Sequence, residues 1–319
     1  MDLKYILSFI TLIGISILYD KYNKKNELYE DEQNYNTVEK FLLNDLSLGQ
    51  NSGPILWIHM DYHVNSRDWK NFYSRNSTDM NQPYLFLTIK SIINNCGSDF
   101  NICLIDDNSF SKLLDNWIIN LSEVGDPLRS KIRELALSKL LYKHGGLLVP
   151  PSFICFKSLI PFYNVLHNSN DMIVGEFIDK NVTSDNNMYC ANSRLMGCLR
   201  ESTRMNEYSR YLELMISNDY TDDSNFTGDS NIWILNKIKN KELALIKGEL
   251  LGVKDNDNKP VILDRLLSNT FIELNKNSFG LYIPHDEILR RTAYQWFARL
   301  NPTQVLETNN MIGKYLLTN

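Results

Sequence analysis

Cysteine is scarce and unpatterned: Cys96, Cys103, Cys155, Cys190 and Cys198 make an odd set with no Cys-x-x-Cys pair. Such spacing offers neither a zinc site nor a disulfide framework. It predicts buried free thiols packing as small hydrophobes, and it favours a reducing compartment for the folded domain. Five scattered histidines form no cluster at metal-ligand spacing. An excess of basic charge is also lacking. The 33 Lys and Arg are outnumbered by 38 Asp and Glu, for a net charge of −5 and a pI near 5.6, which excludes a general nucleic-acid binder. No G-x-S-x-G, Walker loop, G-x-G-x-x-G or H-E-x-x-H occurs, and no internal repeat is visible.

What the 319 residues do contain is apolar bulk, 43% of the chain, enough for one large domain with appendages. One long uncharged run stands apart: Tyr5 to Tyr19, YILSFITLIGISILY. Extended by Leu3 and by flanking lysines that snorkel, it predicts a single-pass anchor over residues 1–20, with residues 3–19 in contact with a lipid bilayer. A signal peptide and a buried helix are the rival readings; Gly14-Ile15-Ser16 is a weak cleavage candidate. Residues 21–53 are polar and charge-rich and predict a stem, leaving 54–319 as the globular domain. Lys21, Lys24 and Lys25 after the run favour a cytosolic main domain by the positive-inside rule. Sequons at Asn76, Asn120, Asn181 and Asn225 would permit the opposite side.

Within the globular region, Ile55–Met60 predicts a strand ending at His59 and Asp61, and Gln82–Asn94 a helix with Leu85, Ile89, Ile92 and Ile93 on one face. Phe100–Ile105 predicts a second strand running into Asp106-Asp107, and Ser109 is placed to cap a helix through Trp117. The stretch KIRELALSKLLYKHGGLLVPPS, Lys131 to Ser152, organises the rest. Its helix buries Ile132, Leu135, Ala136 and Leu140, exits through Gly145-Gly146, and leads into a strand, Leu147–Val149, halted by Pro150-Pro151. Strand–helix alternation predicts an α/β fold with a largely parallel sheet, whose C-terminal strand ends are where ligands bind. Met172–Glu176 and Met188–Ala191 predict further strands, and Met205–Ile216 an amphipathic helix.

The Leu141-Tyr142-x-x-Gly145-Gly146 run with its hydrophobic strand resembles the core motif of glycosyltransferases that carry a DXD motif in a sugar-binding region, the capsular-polysaccharide and mannosyltransferase-like group. That family reads Ser-Asp-x-x-Arg, then Leu-Tyr-x-Tyr-Gly-Gly, then a strand closing in Asp-x-Asp. Anchored on the glycines, its first Asp falls on Glu134, its Arg on Leu137, and its two acids on Pro150 and Ser152. The first strand resembles the family's Ile-Pro-x-x-Ile-His-x-x-Trp, with His59 in the histidine position. The resemblance implies a GT-A-like, Rossmann-type mixed sheet flanked by helices, a nucleotide-sugar donor and a glycan or protein acceptor. It also implies a divalent cation, which Pro150 and Ser152 have no carboxylates to hold.

Candidate donor-binding residues are therefore His59, Asp61, Asp106, Asp107, Arg133, Glu134, Gly145, Gly146 and His285, the last because a late histidine commonly completes the family's metal site. Arg133, one helical turn before Leu137, is a candidate to replace the missing charge. Mn or Mg enters only if Asp106 and Asp107 bind it; the competing reading has Asp106 or Asp107 capping the next helix. Three functions stay open: a membrane-anchored transferase, a catalytically inactive relative acting as a glycan-binding or assembly module, and a membrane-associated structural protein with no sugar chemistry. Asp255, Asp257 and Asp264 read as an ordinary polar turn rather than a calcium loop.

Overall fold

Leu56, Trp57 and Ile58 are all fully buried in β1 (Ile55–His59), so both faces of this strand are covered, as expected of a central parallel strand. A computed structural model describes residues 53–60, 82–168, 172–180, 187–218 and 229–318, which all fall in one compact unit, 41–319. The expected anchor and stem (residues 1–52) and Asp61 lie outside the described residues. Among the described residues no helix is long and apolar enough to cross a membrane.

The elements follow the expected alternation. After β1 come α1 (Leu85–Cys96), β2 (Asn101–Ile105), the short α2 (Phe110–Leu113), α3 (Leu128–His144) and β3 (Gly146–Leu148). Then follow β4 (Phe153–Cys155), α4 (Ile160–Asn164), β5 (Met172–Lys180), β6 (Asn187–Cys198), α5 (Thr203–Ser217), α6 (Asn231–Lys239) and β7 (Ala244–Ile246). The C-terminal part adds α7 (Leu263–Leu266), β8 (Gly280–Tyr282), α8 (His285–Arg290) and three further short helices ending at Leu317. Six strands form one sheet in the order β2-β1-β3-β6-β5-β7. β1 pairs parallel with β2 and β3, β5 pairs parallel with β7, and only β6 runs antiparallel to its neighbours. The expected α/β class with a mixed, helix-flanked sheet is thus the one observed, and β3 lies inside it, not at its edge.

The start of β3 is fixed by its glycines. Gly145 and Gly146 take φ of +70° and +111°, a region L-residues with side chains rarely occupy. A Cβ on Gly146 would sit 2.4 Å from the Ile55 carbonyl oxygen, and one on Gly145 would sit 2.8 Å from the Arg200 amide nitrogen. Trp57 Nε1 donates to the Gly145 carbonyl at 2.9 Å, locking the turn to the buried strand beside it. Helix α3 earns its place by packing: Ile132, Leu135, Ala136, Leu140 and Leu141 are buried, and Ser138 meets Ser209 of α5 at 2.9 Å.

The end of β3 is fixed by a second, two-stranded sheet. β4 pairs antiparallel with β8, and Ile283 N donates to the Ser152 carbonyl at 3.0 Å. Helix α1 braces the same segment from the other side: Thr88 Oγ1 donates to the Pro151 carbonyl at 2.6 Å, Asn95 Nδ2 to the Cys155 carbonyl at 3.0 Å, and Cys155 N to Ser91 Oγ at 2.9 Å.

Some expectations need correction. The helix expected through Trp117 stops at Leu113, and Ser109 makes no side-chain cap to it; the preceding 3-10 turn is capped by Asp106 instead. In the C-terminal part Trp296 is half exposed, whereas Phe297 and Tyr294 are buried. Asp255 accepts from the Asp257 and Lys259 amides and pairs with Arg265 at 2.7 Å, the expected structural turn. Cys96, Cys103, Cys155 and Cys198 are buried free thiols, and Cys190 is half-buried.

Gly146→Ala is expected to lower stability by at least about 2 kcal/mol, since strained φ alone costs about 1–3 kcal/mol and the Ile55 contact adds to it. A urea midpoint unchanged from that of the parent chain would contradict this role.

Candidate active-site cleft

The carboxyl ends of β1 and β3 open onto a cleft of about 480 Å³. Leu148, Val149, Pro150 and Pro151 form the wall contributed by β3, and His59 and Met60 the wall contributed by β1. Helix α3 presents Ser130, Lys131, Arg133, Glu134 and Leu137; β6 presents Asn192, Ser193 and Arg194; α8 presents His285, Asp286 and Arg290. Of the expected residues, His59, Arg133, Glu134 and His285 are brought together here. Asp61 lies outside the described residues.

Gly145 and Gly146 are corrected: they do not line the cleft, because they begin β3 and the cleft is at its other end. Their role is to let β3 approach β1. Asp106 is also corrected. Its Oδ1 accepts from Ser109 N at 2.9 Å and Ser109 Oγ at 2.6 Å, while Ser109 Oγ accepts from Asp106 N at 3.1 Å, a reciprocal capping box.

Asp107 stands behind the cleft wall as a bridge. Arg133 Nε donates to its Oδ1 at 2.7 Å and Arg133 Nη2 to its Oδ2 at 2.6 Å, and His59 Nε2 lies 2.9 Å from Oδ1. Burial alone would raise the Asp107 pKa, but the hydrogen bonds from Arg133 and His59 outweigh it and hold the carboxyl well below the usual carboxylate range. The His59 ring also stacks on Phe110, 5.6 Å between centroids and 4° from parallel. So Arg133 is a positioned residue, with both faces of its fork committed to Asp107.

Glu134 forms the opposite side. Tyr208 Oη donates to its Oε1 at 2.6 Å, Ser193 Oγ to the same oxygen at 2.5 Å, and Ser230 Oγ to Oε2 at 3.0 Å. Burial, followed by the Glu134 carboxylate, pushes the Tyr208 phenol well above its ordinary pKa, so Tyr208 stays a donor. Three hydroxyls from α5, β6 and the start of α6 thereby converge on one carboxylate of α3.

At the end of β3, Ser152 is fully buried and its Oγ lies 3.0 Å from His285 Nδ1. His285 Nε2 reaches Asp286 Oδ1 at 3.2 Å, and Arg194 Nη2 approaches Asp286 Oδ2 at 3.7 Å. His285, with Arg194 and Arg290 behind it, holds the Asp286 carboxyl below its ordinary pKa.

The donor set at this strand end fits a divalent cation poorly, because the strand end contributes no carboxylate. Pro150 has no side-chain oxygen, the Ser152 hydroxyl is bonded to His285, and each carbonyl of the turn accepts one hydrogen bond. Phe153 N donates to the Pro150 oxygen at 3.2 Å, Thr88 Oγ1 to that of Pro151 at 2.6 Å, and Ile283 N to that of Ser152 at 3.0 Å. Asp106 and Asp107 are engaged as described, and among the described residues no group of three or more His, Cys, Asp or Glu is placed to hold an ion.

Lys131, Arg194, Arg290, Asp286 and Gln82 line the cleft without having been expected there. Arg290 stood beside His285 in sequence, which was a usable signal; Arg194 and Gln82 come from elements whose pattern carries no functional cue.

No protein-family model matches the chain, and no curated protein matches it. Among solved structures, the apo glycosyltransferase GlyE of Streptococcus pneumoniae TIGR4 matches 62% of this chain at 9% identity and a TM-score of 0.36, over 46% of its own length. Mouse xyloside xylosyltransferase 1 matches 62% of this chain and 86% of its own, at 7% identity and a TM-score of 0.36. The galactosyltransferase LgtC, solved with donor and acceptor sugar analogues, matches 61% of this chain and 74% of its own, at 14% identity and a TM-score of 0.31. The match thus spans less than half the length of GlyE. All three are glycosyltransferases, but at these scores the function is argued from the cleft itself.

Asp107→Asn tests the bridge. Because folding lowers the Asp107 pKa, its contribution is full above the unfolded value near ~3.9 and is lost as pH falls below that. The variant is expected to be about 2 kcal/mol less stable at pH 7. Its melting temperature is also expected to fall less steeply than the parent's on acidification below pH ~4. Parallel acid limbs for the two chains would contradict the assignment.

Proposed function

We propose that the chain is a glycosyltransferase-like protein of GT-A type, which binds a nucleotide sugar in the cleft at the carboxyl ends of β1 and β3 and transfers the sugar to a glycan or protein acceptor. The observation that carries this reading is the cleft's position and lining. A central parallel strand ends abruptly at Pro150-Pro151 beside a volume of about 480 Å³ furnished with Arg, Lys, His, Glu and Asn side chains. Strand carboxyl ends in open α/β sheets are where such ligands seat, and the size suits a small molecule. The resemblance of the Leu141-to-Ser152 run supports the same class.

In this reading His59, fixed by Asp107 and Phe110, forms one wall for the donor. Glu134 is held by hydrogen bonds from Tyr208, Ser193 and Ser230, and offers its remaining acceptor capacity to hydroxyls of the ligand. His285 is held in place through Nδ1 by Ser152. Residues 3–19 supply a membrane anchor and 21–53 the stem. A second reading, a glycan-binding relative without turnover, is favoured by one feature, the loss of both acids at Pro150 and Ser152.

Titration calorimetry with UDP- and GDP-sugars is expected to give a Kd in the range of about 1 μM to 1 mM usual for substrates. Binding with release of nucleoside diphosphate identifies the transferase; binding without turnover identifies the relative. Absence of heat with every nucleotide sugar sinks both the donor assignment and the activity.

A further inference from the structure

We propose that Cys96 and Cys155 are a covalent modification site, a dithiol that a small disulfide oxidant converts to an intramolecular disulfide pinning the end of α1 to β4. The free thiols of the fold are the reduced state of this pair. The inference is independent of what the cleft binds, and three observations carry it.

The first is proximity held by the backbone. The two sulfurs lie 3.7 Å apart, and both residues are fully buried. Cys155 is clamped against α1 at both of its peptide groups: its N–H donates to Ser91 Oγ at 2.9 Å, and its carbonyl accepts from Asn95 Nδ2 at 3.0 Å. From the other side it pairs with Gly280 of β8. Cys96 is the last residue of α1, next to Asn95. A disulfide bond is about 2.0 Å long, so the sulfurs need to approach by about 1.7 Å. Rotation about the two Cα–Cβ bonds can supply that on a backbone already in place.

The second is a division of labour between the thiols. Cys155 can give its proton to the Cys96 sulfur or to the Lys157 carbonyl at 3.1 Å. Its hydrogen bond lowers the Cys96 pKa against burial, and the same contact, with burial, raises that of Cys155. Cys96 is therefore the thiol that ionises and attacks. For Cys103 burial acts alone and pushes the thiol up to about 11.

The third is a way in. Cys96 ends its helix, and Gly97 and Ser98 beyond it are exposed. Helix ends fray and open at lower cost than core elements, so a small oxidant reaches Cys96 first. The Cys96 thiolate attacks one sulfur of the oxidant and releases one small thiol, leaving a mixed disulfide. The negative sulfur that raised the Cys155 pKa is then gone. Cys155 gives up its proton, attacks the Cys96 sulfur and displaces the second small thiol. The protein thiols lose two electrons and two protons, and the oxidant takes up both as two thiols. The new bond joins positions 59 apart, constraining the unfolded chain, and it fastens α1 to the strand that follows the Pro150-Pro151 turn.

The test is incubation of the natively folded full chain with oxidised glutathione, then acid quenching, alkylation in denaturant and peptide mapping. A Cys96–Cys155 cross-linked peptide is expected, with Cys103, Cys190 and Cys198 alkylated. The melting temperature is expected to rise by about 5 °C or more and to return with dithiothreitol. Cys96→Ala and Cys155→Ala are each expected to lose the cross-link and the rise, and Cys103→Ala to keep both. Mapping of the parent chain decides the matter even if a variant fails to fold. A cross-link that maps to another pair or forms only in denaturant overturns the inference. So does alkylation of all five cysteines after oxidation, or a cross-linked chain that melts no higher than the reduced one.

Discussion

Everything at the cleft depends on the approach of β3 to β1 at Gly146. With no side chain at that position, the glycine backs onto the Ile55 carbonyl at a separation no Cβ could occupy. The strands then register Leu56 with Leu147 and Trp57 with Leu148. A strand of three residues has little ladder of its own, so its placement comes from its ends. The Trp57 indole holds the Gly145 carbonyl at the start, and α1 and β8 hold the proline turn at the finish. Displacing the start would carry Val149 and Pro150 with it, and the cleft wall is those residues.

This is why the central stretch was legible in the sequence. Helical spacing from Ile132 to Leu141, two glycines, a short apolar run and two prolines are local signals, each with one dominant physical outcome. The strand ending at His59 and the one running into Asp106 were legible for the same reason. The acid pair was harder because its two members obey different rules. Asp106 follows a three-residue rule, the capping box with Ser109, which a sequence displays. Asp107 is committed to Arg133, 26 positions away, and to His59, 48 positions away. Periodicity carries no record of such pairings. Arg194 and Gln82 were illegible on the same grounds, since each enters the cleft through tertiary placement of an element whose own pattern is ordinary.

The assignment of Arg133 shows how a single pairing redirects the chemistry of a site. From sequence, Arg133 was the natural replacement for a missing cation because it lies one turn from Leu137 on α3. In the fold it is a brace: its bidentate bonds to Asp107 tie α3 to the end of β2, and through His59 to the end of β1. A guanidinium so held shapes the wall more than it serves a ligand.

Having proline and serine rather than paired acids at the end of β3 also bears on what the empty cleft costs. Two carboxylates about 4 Å apart repel by about 4 kcal/mol at an effective dielectric near ~20, so a strand end built of them is comfortable only with a cation between them. Pro150, Pro151 and a buried Ser152 bonded to His285 carry no such repulsion. Their polar groups are already satisfied, by Phe153, Thr88, Ile283 and His285. The strand end is consequently neutral, with its hydroxyl and carbonyls hydrogen-bonded within the protein.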